Sequence, residues 1–337
     1  MNVKDSITIS AVAVLAIIAL GALGAIVPVL RPVFGIAIPY AAVAVFLLGV
    51  VAKVLGWGKT PVPFAIPTTC GQQKSLPWIK ASYLESPWTK KGVIARMALE
   101  ILCFRSLFRN TNMSMKQGPK IFYGPTLWLW IAALAFHYTF LTVFIRHFRF
   151  FLEPVPFPIK MLETLDGFLQ IGLPTVMVSG FILAGAATYL LLRRLMIPTV
   201  RYISLPNDFF PLFLILSIAV TGILMRYVTK TDVVGIKELT MGLVTFRPTV
   251  PDKVGMIFFV HLFLVSTLLA YFPFSKLMHM GGVFMSPTRN LTCNTREVRH
   301  VNPWNYPVKT HDYHEYEDEF RAHMVEAGLP VEKPLED

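Results

Sequence analysis

Six long apolar runs, at roughly 7–30, 34–56, 122–148, 165–192, 207–228 and 254–279, set the pattern of this chain. A helix that crosses a bilayer needs about 20 mostly apolar residues, and each run reaches that length. The pattern predicts an all-α polytopic membrane protein with six transmembrane helices. The first run is longer than the apolar core of a secretory signal, about 7–15 residues, and no A-x-A-like cleavage site clearly follows it, so it reads as a retained helix. Residues 28–32, with Pro28, Arg31 and Pro32, read as the turn into the second span. The chain divides into two N-terminal spans (1–56), a basic segment (57–121), four further spans (122–280) and a polar tail (281–337). Within the basic segment, residues 92–109 set Arg96, Glu100 and Arg105 among apolar residues at helical intervals. That spacing predicts a helix in the membrane interface, or one packed on a partner subunit. In the tail, residues 313–327 predict an acidic helix.

Composition supports this class. Hydrophobic residues make up 54% of the 337 and charged residues only 15%, against roughly 25% charged in soluble domains. An ordinary cytosolic enzyme, a disordered chain and a nucleic-acid-binding module are thereby excluded. Thirty-one Lys+Arg against 20 Asp+Glu give +11, a basic excess that suits loops facing an anionic cytoplasmic leaflet. Residues 53–120 hold 11 Lys/Arg and two acids, Glu85 and Glu100. Arg193, Arg194 and Arg201 follow the fourth span, and Lys276, Arg289, Arg296 and Arg299 open the tail. With six spans these regions share one side. The Lys/Arg bias places it in the cytoplasm, with both termini there and the chain in the inner (cytoplasmic) membrane. Cys70, Cys103 and Cys293 lie far apart and form no disulfide framework, zinc site or iron–sulfur run.

Candidate chemistry sits in two spans. His137 and His147 lie on the third, and His261 and His279 on the sixth. An ionisable residue within a span is costly and is a functional hypothesis by default; a single one is as readily a hydrogen-bonded structural residue, but two pairs on two helices are not. His261 and His279 are 18 residues apart, five helical turns and about 27 Å, so they leave one helix face. His137 and His147 are 10 apart, about 15 Å along the axis and about 80° out of register. If the two spans are antiparallel, His147 meets His261 near the outer side and His137 meets His279 near the inner side. Tilt or a kink at Pro273 must absorb the unequal lengths. Each pair can supply two axial imidazoles to one haem iron, leaving no open position and favouring electron transfer over oxygen chemistry. No C-x-x-C-H is present, so such haems would be b-type. Gly172, Gly180, Ala184, Gly185 and Gly222 offer small surfaces for a porphyrin, or plain close packing of helices.

The stretch AFHYTFLTVFIRHF over 135–148 and the ending FPFSKLMH over 272–279 resemble the haem-bearing helices of the respiratory nitrate reductase gamma-subunit family. The likeness spans about residues 120–285. It implies that His137 and His279 ligate one haem b and that His147 and His261 ligate the other. It also implies a five-helix cytochrome b core made by spans two to six, with the first span and the basic segment as additions. Those additions, NPWN at 302–305 and YEDEF at 316–320, look closer to one branch, the membrane cytochrome b subunits of sulfite-reduction-associated electron-transport complexes. That resemblance implies menaquinone as the membrane redox partner and a cytoplasmic iron–sulfur subunit related to heterodisulfide reductase. Further membrane and periplasmic redox subunits follow from the same likeness.

A quinone site needs a nearby haem, an apolar slot and a proton-handling group. In the family it adjoins the outer haem, here the His147 one. Arg149, Lys160, Glu163 and Asp166 are candidates, and Lys160 is nearest in kind to the family's lysine, at a different offset from the haem ligand. Buried haem propionates need partners; Arg146 and Arg149 suit the outer haem, and Lys276, Arg193 and Arg194 the inner one. Any of these cations can instead snorkel to headgroups. His300, His311, His314 and His323 read as surface residues of the tail. Two other readings remain open: a haem-free transporter whose histidines relay protons, and a structural anchor for a soluble partner. The transporter would show polar, broken helices around a midplane site, and intramembrane acids are nearly absent, with Asp166 and Asp208 at the starts of spans. The anchor leaves the histidine pairs unexplained.

Overall fold

A computed structural model describes residues 3–60, 71–115, 121–167, 175–294 and 310–334. Among them, six helices are long and apolar enough to cross a membrane. The first span is Val3–Ile26. The second, Ile38–Gly58, follows a π-helical turn at Val33–Ala37. The third is Leu127–His147, the fourth Val178–Met196, the fifth Pro206–Tyr227 and the sixth Met256–Tyr271. Leu48 is 72% exposed and Leu15 63%. Side chains like these, in contiguous bands, require lipid rather than water around them. The chain is a multi-pass membrane protein.

The third span packs on the fourth, the fourth on the fifth and the fifth on the sixth. The first span, expected as an addition, lies against both the fifth and the sixth, and the second lies against the sixth. Small residues permit this. Ser6, Ser10, Val14, Gly21 and Gly24 form the buried side of the first span, and a Cβ on Gly21 would lie 3.0 Å from the Val260 backbone. Val14, Leu214, Val260 and Leu264 close the core between these three helices. In lipid, such close contact supplies the dispersion energy that holds helices together. The third and sixth spans make no extended backbone contact.

Several boundaries differ from expectation. Residues 121–126 do not begin the third span. Ile121–Pro125 pairs antiparallel with Thr111–Met115, a hairpin in a fold expected to be all helical. The side chain and backbone N–H of Thr126 both donate to the Asn110 carbonyl at 3.2 Å, closing the hairpin before the helix can start. The expected fourth span included Asp166, but Asp166 ends a separate short helix, Phe157–Asp166. The expected helix over 92–109 is Lys90–Cys103, a left-handed residue at Phe104, then Arg105–Phe108.

The sixth span carries the largest correction. It does not continue to His279. Pro273 lacks a backbone N–H, and Ser275 is extended, its N–H closing the Phe272–Phe274 3₁₀ turn on the Phe272 carbonyl at 3.2 Å. Its side chain caps a new 3₁₀ turn by accepting from the Leu277 N–H at 3.1 Å. His279 opens a further helix, His279–Met285. The five-turn, one-face relation between His261 and His279 therefore fails. The acidic tail helix is Tyr313–Glu326. Gly172, Arg296, Arg299, His300 and the 302–305 motif lie outside the described residues.

Candidate functional site

Four imidazoles meet in two pairs, one partner of each from the third span and the other from the sixth span or the turns after it. The His137 and His279 ring centroids are 5.9 Å apart with planes at 85°. The His147 and His261 centroids are 6.4 Å apart with planes at 13°. Histidines 137 and 147 sit on one continuous helix, about 15 Å apart along it. The break at Ser275 brings His279 to the level of His137, which a straight sixth helix would overshoot.

Each ring is oriented through Nδ1. His137 Nδ1–H donates to the Ala133 carbonyl (2.8 Å) and His147 Nδ1–H to the Val143 carbonyl (2.6 Å). His279 Nδ1–H donates to the Lys276 carbonyl at 2.8 Å. A carbonyl only accepts, so these three nitrogens carry the proton. His261 differs, because its Nδ1 meets the Thr221 hydroxyl of the fifth span at 2.9 Å. Thr221 Oγ1 donates to the Ser217 carbonyl (2.8 Å), so it accepts from His261. In all four rings Nε2 is thereby the nitrogen that carries the lone pair. A carbonyl or hydroxyl behind a metal-binding histidine fixes its tautomer and raises its basicity.

This donor set fits haem iron. A metal–imidazole bond is about 2 Å and the ring centre lies about 1 Å behind the nitrogen, so two trans imidazoles place their centroids about 6 Å apart. Both pairs have that spacing. Gly222 of the fifth span adjoins His261, where a Cβ would lie 3.5 Å from its Cε1. Gly185 has nothing within 4 Å of its Cβ direction, whereas Gly180 approaches only Ile223 and reads as helix packing. Ala184 is half-buried in the fourth span.

Arg146, Arg149, Lys276 and Arg194 are engaged inside the chain. Arg146 pairs with Asp166 and donates to Ser179 Oγ at 3.0 Å. Its Nε is buried without a partner, a donor suited to an anionic group such as a propionate. Asp166 also accepts from the Ser179 N–H (2.7 Å) and hydroxyl (2.6 Å), capping the fourth span. Arg149 pairs with Glu163, and Lys160 is exposed on the same Phe157–Asp166 helix. At the other end, Lys276 Nζ donates to Asp208 at 2.7 Å, and Arg194 lies 3.6 Å from the same carboxylate. Two cations on one carboxylate leave a net positive charge near His279. Among the described residues no group of three or more His, Cys, Asp or Glu converges on a metal position. His311 and His314 stand instead beside Glu315, Glu319 and Glu332.

Sequence reasoning missed Thr221, whose hydroxyl looks like that of any threonine in a span. It also missed Phe104, at the end of the helix expected over 92–109, which reaches the His137 ring from outside the spans. The ring of Phe104 stands edge to face on His137 at 4.9 Å.

The chain resembles proteins of known type over most of its length. An Archaeoglobus fulgidus protein described as an Hdr-like menaquinol oxidoreductase cytochrome b-like subunit is 45% identical over 280 residues, 81% of this chain and 83% of the relative. An Archaeoglobus profundus protein of the same description is 40% identical over 276 residues, 80% and 82% of the two chains. The family described as nitrate reductase gamma subunit matches residues 98–300, which include all four histidines. On this match and these identities, the chain belongs to the nitrate reductase gamma subunit family.

Proposed function

We propose that this chain is the dihaem b membrane subunit of a respiratory redox complex of the DsrM kind. It exchanges electrons between menaquinol or menaquinone near the periplasmic face and a cytoplasmic heterodisulfide-reductase-like iron–sulfur subunit, in dissimilatory sulfite reduction. The observation that carries this reading is the two imidazole pairs, at 5.9 and 6.4 Å, with every Nδ1 already bonded. The relatives' descriptions, which name a menaquinol oxidoreductase and an Hdr-like system, support the quinone and the partner. Further membrane and periplasmic redox subunits complete the assembly in this reading.

His137 and His279 hold one haem b, and His147 and His261 the other. When bound, the two haems supply one-electron transfer through most of the bilayer. The Lys/Arg bias puts both termini in the cytoplasm of an inner-membrane protein, so the His147 pair lies toward the periplasm. Arg146 and Arg149 hold the propionates at that end, and Lys276 with Arg194 those at the other. Lys160, exposed on the Phe157–Asp166 helix, handles a quinone proton.

A reduced-minus-oxidised spectrum of the purified chain with pyridine haemochrome quantitation tests this. Two b haems per chain are expected, and none refutes the reading in favour of a haem-free transporter. Substituting His147 or His261 should remove one and the same haem, and substituting His137 or His279 the other. Lys160→Ala should slow haem reduction by a menaquinol analogue; undiminished reduction removes Lys160 from the quinone site.

A further inference from the structure

The helix Lys90–Cys103 bridges the third span, which carries His137, and the chain that follows His279. Its polar side faces the chain just beyond His279. Arg96 donates to the Thr288 carbonyl at 2.9 Å, and Glu100 pairs with Arg289. Glu100 also accepts from the Ser106 hydroxyl (2.6 Å) and N–H (3.0 Å), which folds the chain back around Phe104. Burial pushes the Glu100 carboxyl up, but the Ser106 bonds and Arg289 outweigh it and hold it below the ordinary carboxylate range.

The helix's C-terminus is tied to the third span. The Leu102 carbonyl accepts from the Tyr138 hydroxyl, and the Cys103 carbonyl from Trp130 Nε1, both at 2.8 Å. Those carbonyls are among the groups a helix end leaves unpaired. The next residue, Phe104, has φ +49° and ψ +49° and returns its N–H to the Leu99 carbonyl. This is the left-handed capping position that glycine ordinarily fills, and a side chain there meets a steric penalty. A bulky aromatic has no reason to stand there for the helix's sake. Its ring lies 4.9 Å from the His137 ring at 87°, with Phe136 on the same imidazole at 5.2 Å.

We propose that Phe104 is a positioning residue for His137, held in a strained backbone by the Lys90–Cys103 clasp so that its ring fixes the imidazole plane of the cytoplasm-side haem site. This inference rests on the haem reading above and extends it to residues outside the spans. The clasp couples the basic segment and the chain after His279 to the same metal position.

Phe104→Gly and Phe104→Leu in the full chain test it. Glycine removes the ring and the backbone penalty together, so the protein should melt no lower than wild type. Leucine keeps the bulk and the penalty but not the ring. In both, the ferric low-spin EPR signal assigned to the His137/His279 site, by its loss in His279→Ala, should shift and broaden. The His147/His261 signal should stay unchanged. Two haems in wild type and an unmoved His137/His279 signal in both variants would overturn this proposal alone. Equal movement of both signals would also overturn it. A wild-type chain without haem would overturn the parent reading and this one with it.

Discussion

Replacing Thr221 by valine keeps volume and branching and deletes one hydroxyl. In the structure that hydroxyl accepts the His261 Nδ1–H at 2.9 Å while its own proton is committed to Ser217. His261 is buried, so no water replaces the lost acceptor; only the Ile218 carbonyl remains to the ring, and the lost bond costs about 0.5–1.5 kcal/mol. A hydrogen bond behind a ligating imidazole makes it more basic, and a more basic ligand favours ferric over ferrous iron. If the two oxidation states differ by about 0.5–1.5 kcal/mol in what they gain from the bond, the midpoint potential rises by about 20–60 mV on its loss, at 59 mV per tenfold for one electron. Potentiometric titration of the haem absorbance in purified protein reads this directly. The haem lost in His261→Ala should move upward in Thr221→Val and return to its place in Thr221→Ser, while the other haem stays fixed. An unmoved potential, or a serine variant that behaves like the valine one, refutes the reasoning.

Three further outcomes follow from the geometry. The imidazole planes stand 13° apart at one pair and 85° apart at the other, so ferric EPR should show one rhombic low-spin species, lost in His147→Ala, and one highly anisotropic species, lost in His137→Ala; two identical signals would contradict the two angles. Asp166→Ala unpairs a largely buried Arg146 and uncaps the fourth span, a loss of about 3 kcal/mol, and heating in detergent should bleach the His147/His261 haem earlier than in wild type. In the tail, the Glu332 N–H, then the Lys333 N–H, Arg321 and Tyr313, overcome burial and hold the Glu317 carboxyl at about 2; its stabilisation is complete above the ordinary value of 4.5 and is lost as pH falls through about 2. Pepsin at stepped pH should open the Tyr313–Glu326 helix only near the bottom of that range, and Glu317→Gln should open it already at the top.

The spans were legible because bilayer length and hydropathy impose them residue by residue. Their ends were not, because ends are settled by single contacts. Ile121–Pro125 is apolar enough to extend the third span, yet it becomes a strand once Asn110 holds Thr126. Asp166 reads as the first residue of a span and is instead the remote cap of the next helix. The histidine pairs on the page are those expected from antiparallel spans, but the route differs. A straight helix through His279 gives about 27 Å against about 15 Å on the facing helix, and the chain resolves the mismatch with two 3₁₀ turns around Ser275. Proline and serine in the sequence announced a kink, not its size. Arg146, Arg149 and Lys276 were visible as charges at span ends, but their carboxylate partners were not, since Asp166, Glu163 and Asp208 lie 20, 14 and 68 residues away.

Close packing is the rule between membrane helices, because dispersion contacts hold them together. The third and sixth spans are not among the closely packed pairs, and what faces across from one to the chain of the other is two pairs of imidazoles. A proton relay would need imidazoles free to exchange protons through both nitrogens, yet three Nδ1–H groups are committed to backbone carbonyls and the fourth to a hydroxyl that has given its own proton to Ser217. Nor do the described residues offer a ready acid beside them. Asp166 and Asp208 are already ion-paired at span ends, with Arg146 and with Lys276 and Arg194. Rings locked at Nδ1, in facing pairs 5.9 and 6.4 Å apart, are the arrangement that the proposed haems would require. Any rival account must explain why the pairing and the locking hydrogen bonds occur at the same four residues.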